Sequence, residues 1–204
     1  MAAGDTKLSI CSDALIMLGA APVSSFSEAT DEAQVADRLY DDIRDTLLMQ
    51  YPYSWSIKKI GLAQLVDAPT TEWRYKYQLP GDILGNPKAV FTTNSVGGRP
   101  VREFEIYGSA LYSNYTSVWV DYQYTPEPAF FPPYFVNLLK HALAAAFAEP
   151  ITDQITKADY YHRLAYGPPE ANWRGGLVRV AMNIDGTDRP PQNIMDFPLT
   201  DVRG

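Results

Sequence analysis

The sequence has one cysteine, two histidines and no long apolar run, and each scarcity excludes a class of function. Cys11 alone can form no intramolecular disulfide, and a cysteine-ligated zinc centre needs several thiolates. It falls within an apolar helical stripe, where a free cysteine packs as a small hydrophobe. His141 and His162 lie on different expected helices, neither with a carboxylate or thiol at metal-ligand spacing, so no metal centre is assigned. The longest apolar run, Ala142 to Ala148, is far too short for a membrane span. The opening residues lack the basic-then-apolar order of a secretory signal, so a cytosol-like compartment of assembly is expected.

Positive charge is scarce as well. Seventeen Lys and Arg against twenty-four Asp and Glu give a formal net charge of −7. Wrapping nucleic acid needs a dense basic face, so phosphate binding is not expected, although an acidic surface can let DNA pass by repelling it. Nucleophile-elbow, P-loop and dinucleotide-binding glycine phrases do not occur. Two carboxylate pairs, Asp41-Asp42 and Glu103 with Glu105, have a spacing that could be offered for glycoside hydrolysis. The first pair belongs to a polar helix face and the second alternates with Phe104 on an expected strand, so both read as charged surface. No catalytic residue and no cofactor is therefore assigned.

What is present is a clear change of hydrophobic period along the 204 residues. Helical spacing runs from about Thr6 to Gln50, alternation from about Tyr53 to Thr125, and helical spacing again from Pro133 until a Pro-rich tail begins near Asp185. The expected class is α+β, a discontinuous antiparallel helical bundle with an inserted antiparallel β-domain and an extended C-terminal arm. The boundaries are residues 1–52 and 127–184 for the two parts of the bundle, 53–126 for the β-domain and 185–204 for the arm.

In the first helix Leu8, Cys11, Leu15 and Leu18 share a stripe, with Asp5 as the expected cap and Gly19 as the stop. The second begins at Thr30 and places Ala36, Leu39, Ile43 and Leu47 inward. Its other face carries Asp37, Asp41, Asp42 and Asp45, a candidate acidic surface or channel face. Pro132-Pro133 opens a helix that is apolar nearly all round, ending before Pro150. A fourth helix starts at Thr152-Asp153 and runs through Ile155, Ala158, Tyr161 and Ala165, and a fifth stretch runs from Glu170 to about Met182. Strands are expected at Ser54–Ile60, Trp73–Gln78, Ala89–Thr93, Val101–Ile106, Ala110–Ser113 and Val118–Tyr124, with a hairpin-type loop at Asn94 to Gly98.

Fourteen Tyr, eight Phe and four Trp are more rings than one small sheet can hide, which points to protein interfaces, with carbohydrate stacking as the rival use. The tail carries Arg189, Pro190, Pro191, Ile194, Met195, Phe197 and Leu199. It is too polar overall to fold alone and too apolar to be passive, so it reads as a docking arm.

Three phrases carry a family resemblance. They are Ala14-Leu15-Ile16-Met17-Leu18-Gly19 with Ala21-Pro22-Val23-Ser24-Ser25 and Asp31-Glu32-Ala33; Asp45-Thr46-Leu47-Leu48 with Tyr53-Ser54-Trp55-Ser56, Leu62-Ala63 and Trp73 to Pro80; and the helix before Pro150, the Tyr160-Tyr161 helix and the arm. In order and spacing the chain resembles the phage head-to-tail adaptor (connector) family, that of podovirus tail tubular protein A. The resemblance implies a structural virion protein of the neck or tail, assembled in the host cytoplasm. It would form a ring, twelvefold in the family, beneath the portal protein. The arm would grip the portal and the sheet side would meet the next tail component, a nozzle or tail tube. Genomic DNA would pass through without specific binding, and no membrane would be involved. Gly167-Pro168-Pro169 and Gly175-Gly176 depart from the long closing helix of the family. The alternative is a carbohydrate-binding or glycan-cleaving module of a phage tail.

Overall fold

The computed structural model describes residues 4–67, 69–95, 98–173 and 175–188. Within them the chain is α+β, with five α-helices and two three-stranded antiparallel sheets. Helix α1 (Lys7–Leu18) is capped by Thr6 rather than Asp5. The Thr6 hydroxyl accepts from Ser9 N at 3.1 Å while Ser9 Oγ accepts from Thr6 N at 2.9 Å. That reciprocal pair occupies two otherwise orphaned donors, which a carboxylate one residue earlier could not do. Gly19 ends the helix at φ 79°. Helix α2 (Asp31–Gln50) starts from the expected Thr30 cap and keeps Asp31 and Glu32 in its first turn.

Helix α3 (Pro133–Thr152) is the hub, packing against α1, α2, α4 (Ile155–Tyr166) and α5 (Gly176–Asp188). Phe135, Leu138, Leu139, Leu143 and Phe147 are fully buried in it. The helix continues through Pro150, where a break was expected. Near a C-terminus proline forfeits a single backbone bond, and the end is set instead by Asp153 at φ 51°. Helix α4 therefore begins at Ile155 and not at Thr152-Asp153, and Ile155 is 69 % exposed. Its inner face closes α1: Lys157 Nζ donates to Leu18 O and Tyr161 Oη to Met17 O, both at 2.8 Å. These bonds satisfy carbonyls at the end of α1, with a cation where the helix dipole favours one.

The fifth helix differs most from expectation. Residues Pro169–Ala171 form one 3-10 turn, and Asn172 and Trp173 both take left-handed backbone before α5 begins at Gly176. A Cβ on Gly167 would meet Gly175 Cα at 2.6 Å, so the glycines mark a backbone crossing and not a weak point within a helix. Helix α5 runs to Asp188, so the first four residues assigned to the arm are helical. Val178, Ala181 and Asp185 anchor its buried side.

The β-domain comprises β1 (Ile57–Gly61), β2 (Tyr75–Gln78), β3 (Ala89–Phe91), β4 (Phe104–Tyr107), β5 (Ala110–Ser113) and β6 (Trp119–Gln123). One sheet has the order β1-β6-β3 and the other β2-β5-β4. Tyr77 and Leu111 from the second share an apolar cluster with Val90, Val120 and Tyr122 from the first, so the two sheets form a small sandwich. The alternation expected over Trp73–Gln78 and Val118–Tyr124 places Tyr77, Val118, Val120 and Tyr122 inside. The loop from Asn94 turns the chain back on β3, with Gly98 N donating to Ser95 O at 3.2 Å and Val101 N to Val90 O at 2.7 Å, before the chain passes to β4 in the other sheet. The tight hairpin is β4–β5, turned by Gly108 at φ 59°.

Bundle and sandwich meet where α2 ends. Gln123, on the opposite face of β6 from the sandwich core, donates through Nε2 to Leu48 O at 2.5 Å, Tyr51 O at 3.0 Å and Ser56 Oγ at 3.1 Å. Replacing a fully buried amide that serves several acceptors leaves them desolvated. Gln123→Leu is therefore expected to lower stability by about 1–3 kcal/mol in urea denaturation, and an unchanged midpoint would remove this contact from the account.

Candidate interaction surfaces

Three surfaces carry features beyond packing. The first is the acidic face of α2. Lys7 Nζ lies 2.8 Å from Asp37 and 3.1 Å from Asp41, while Arg44 pairs with Asp41 at 2.5 Å and Asp45 at 2.8 Å. Thr125 Oγ1 also donates to Asp45 at 3.2 Å. Of the four aspartates singled out, Asp37, Asp41 and Asp45 are thus offset by cations of α1 and α2, and Asp42 is exposed. The surface is a network of ion pairs rather than a row of bare anions. Partly exposed pairs of this kind contribute at most about 1 kcal/mol each.

The second surface is the outer face of the β2-β5-β4 sheet. Lys76, Tyr112 and Glu105 are aligned across its strands. Trp73 Nε1 donates to Glu105 Oε2 at 3.1 Å and Tyr107 Oη donates to the same oxygen. Tyr107 and Tyr112 meet edge to face at 5.2 Å. The Tyr107 hydroxyl, with the Trp73 indole, holds the Glu105 carboxyl below the usual carboxylate range. Donation to Glu105 in turn pushes the Tyr107 phenol up to about 12. Glu103 is engaged separately, accepting from Tyr115 Oη at 3.2 Å. A glycosidic general acid needs its pKa raised, and Glu105 is shifted the other way.

The third surface is a groove of about 630 Å³ on the bundle. Its floor is Ala142 and Ala146 of α3, its walls Ile43 and Gln50 of α2 with Ala158 and His162 of α4. Trp173 stands at one end with its ring edge-on to His162 at 4.6 Å. Small residues at positions that face a neighbour leave an apolar hollow, and on α3 they do so here. The sequence showed the alanines but not that a hollow would be left above them. His141 lies apart, its Nδ1 2.8 Å from Asn137 O.

Sequence reasoning missed Asp185. This carboxylate is 1 % exposed and accepts from Ser54 N at 3.0 Å, Ser54 Oγ at 2.7 Å and Tyr134 Oη at 3.3 Å. Trp55 Nε1 donates to the Tyr134 hydroxyl at 3.0 Å. Burial, then the Asp185 carboxylate, pushes the Tyr134 phenol up to about 12. No local spacing pairs residue 54 with residue 185, so only the fold could reveal the contact.

The arm residues Arg189, Pro190, Pro191, Ile194, Met195, Phe197 and Leu199 lie outside the described residues. Among the described residues no group of three or more His, Cys, Asp or Glu is placed to hold a metal, and no helix is long and apolar enough to cross a membrane. No protein-family model matches the chain, and no curated protein does.

The Glu105 site makes a pH prediction. A carboxyl with a depressed folded pKa adds stability above its unfolded pKa and loses it as pH falls through the folded value. Tyr107→Phe, and more so with Trp73→Phe, is expected to raise the Glu105 titration midpoint toward the ordinary range in a carboxyl-carbon NMR titration. An unmoved midpoint would contradict the assigned cause.

Proposed function

We propose that the protein is a structural head-to-tail adaptor that forms a ring beneath a phage portal and offers a docking surface to the tail. The observation that carries this reading is the layout. Residues from both ends of the chain build one bundle around α3, and the β-sandwich inserted between them is fastened to it through Gln123. Such a body has a helical end and a sheet end held at fixed geometry, which suits a part that joins two different assemblies. The phrases that resemble the adaptor family fall on the elements that make this layout: α1 and α2, the Ser54 turn with β2, and α3 with α4. Portal protein, a second copy of this chain and the next tail component are the partners of this reading. DNA would pass along the ring axis without specific contacts, and the site of action would be the virion neck.

A second reading has one observation in its favour. Trp73, Tyr107 and Tyr112 around an ionised Glu105 form an exposed aromatic–carboxylate platform of the kind that can stack a sugar ring. It would bind glycan, the rings stacking on a sugar face and the carboxylate accepting from its hydroxyls.

The adaptor reading is tested by co-sedimentation and negative-stain imaging with portal rings from the same particle. The full chain is expected to add a layer of density under the portal. A chain ending at Asp188 is expected to keep its circular dichroism spectrum and lose at least about tenfold in portal affinity, the scale expected when a flexible linked contact is removed. A full chain that stays monomeric and ignores the portal would overturn the reading, and retained portal binding after truncation would remove the arm from it.

A further inference from the structure

We propose that copies of this chain join head to tail, the open edge of β1 in one copy pairing antiparallel with the open edge of β4 in the next. This pairing supplies the contact between copies that the adaptor reading requires, and it rests on that reading only in taking a second copy as the partner.

The two sheets have four outer strands, and two of their edges are covered. Beside β2, Leu65 N donates to Lys76 O at 2.8 Å and Gln78 N to Ala63 O at 3.1 Å. Beside β3, Val101 N donates to Val90 O at 2.7 Å. The edges of β1 and β4 are open. Leu62 N donates to Val118 O and Tyr124 N to Ser56 O, so the even-numbered residues of this stretch bond to β6. Ile57, Lys59 and Gly61 therefore turn their backbone groups outward. In the other sheet the two-residue turn Gly108-Ser109 makes Tyr107 and Ala110 a bonded pair, so Phe104 and Ile106 are the outward residues of β4. Among the described residues no backbone hydrogen bond reaches the outward groups of these five. An edge of this kind is a template for another strand.

Charge decides which strand fits. Lys58 and Lys59 stand on β1, Glu103 and Glu105 at β4, and all four are exposed. Their partners within the chain are weak. Lys58 lies 3.3 Å from Asp82 and Lys59 3.9 Å from Asp121, while Glu103 and Glu105 accept from the neutral donors Tyr115, Trp73 and Tyr107. Like charges placed opposite one another destabilise a strand pair, so β1 on β1 and β4 on β4 are both disfavoured. The same charges favour β1 on β4. In an antiparallel pair outward residues oppose outward residues, so Lys59 set against Phe104 brings Lys58 opposite Glu105 and Ile57 opposite Ile106. Arg102 then falls opposite Gly61, away from both lysines. A contact between two different edges is heterologous, so it propagates from copy to copy and closes only as a ring.

Sedimentation velocity of the full-length chain and of two variants tests the pairing. Lys58→Glu with Lys59→Glu blocks the β1 edge, and Glu103→Lys with Glu105→Lys blocks the β4 edge. Circular dichroism checks that each variant folds. At ~100 μM, where a micromolar contact is close to saturated, the natural chain is expected to form species larger than a dimer. Each variant alone is expected to associate about tenfold or more weakly, because like charges then face one another. Mixed together, the two retain one good edge each and are expected to form a 1:1 dimer and nothing larger. Lys59→Pro gives a second test of the β1 edge. Its outward N–H takes no part in the bonds to β6, so the fold is expected to keep its ladder while association falls as in the charge variant.

A natural chain that stays monomeric would overturn the pairing, and the adaptor reading falls with it only if that chain also ignores the portal. Assembly unmoved by either variant would overturn the pairing and leave the adaptor reading standing. Loss in one variant alone, or a mixture that fails to dimerise, would overturn the head-to-tail arrangement.

Discussion

One buried amide and one buried carboxylate hold the architecture together. Gln123 reaches from the last sheet position of β6 to the carbonyls that end α2, and Asp185 reaches from α5 to the backbone and hydroxyl of Ser54. Both act on the short stretch Leu48–Ser56, where the chain passes from bundle to sandwich. Tyr53, Trp55, Phe131 and Phe135 pack against one another around the same stretch. Buried polar groups are costly unless paired. Here the pairing is available only when α2, β6, α3 and α5 are all in place, so the elements specify one another.

This dependence bears on function. A joint between two assemblies has to transmit position, and two domains on a loose linker would not. The aromatic clamp and the two polar contacts make the orientation of the sandwich a property of the fold rather than of a hinge. The features available for binding then lie at different ends: an ion-paired face on α2, an alanine-lined groove on the bundle, and an aromatic–carboxylate platform on the far sheet. The adaptor reading uses the separation of these surfaces. The glycan reading uses only the last of them.

Local rules made most elements legible. The Thr30 cap with Asp31 and Glu32 located the start of α2, Pro132-Pro133 the start of α3, Gly19 the end of α1, and strict alternation the inner faces of β2 and β6. Expectations failed where a local signal competed with tertiary contacts. Pro150 reads as a break but costs one bond near a helix end. Gly175-Gly176 reads as a weak helix but is a close backbone crossing. The turn after Asn94 was legible from residues that tolerate turns, but not that the chain would leave β3 at once and pair as β4 with β5 in the other sheet. Of the surfaces, the acidic face was visible as a run of aspartates, but its neutralisation by Lys7 depends on how α1 docks. The groove and the Asp185 contact join residues far apart in sequence, and no periodicity carries such information.

Native-state hydrogen exchange, followed residue by residue, tests the claim that bundle and sandwich form one cooperative unit. Amides of Val120 and Tyr122 in β6 and of Leu138 and Leu139 in α3 are expected to exchange with the same opening free energy and the same denaturant dependence. A sandwich that opens at markedly lower free energy while α3 stays protected would contradict the account, because the Gln123 and Asp185 contacts would then be incidental to the fold.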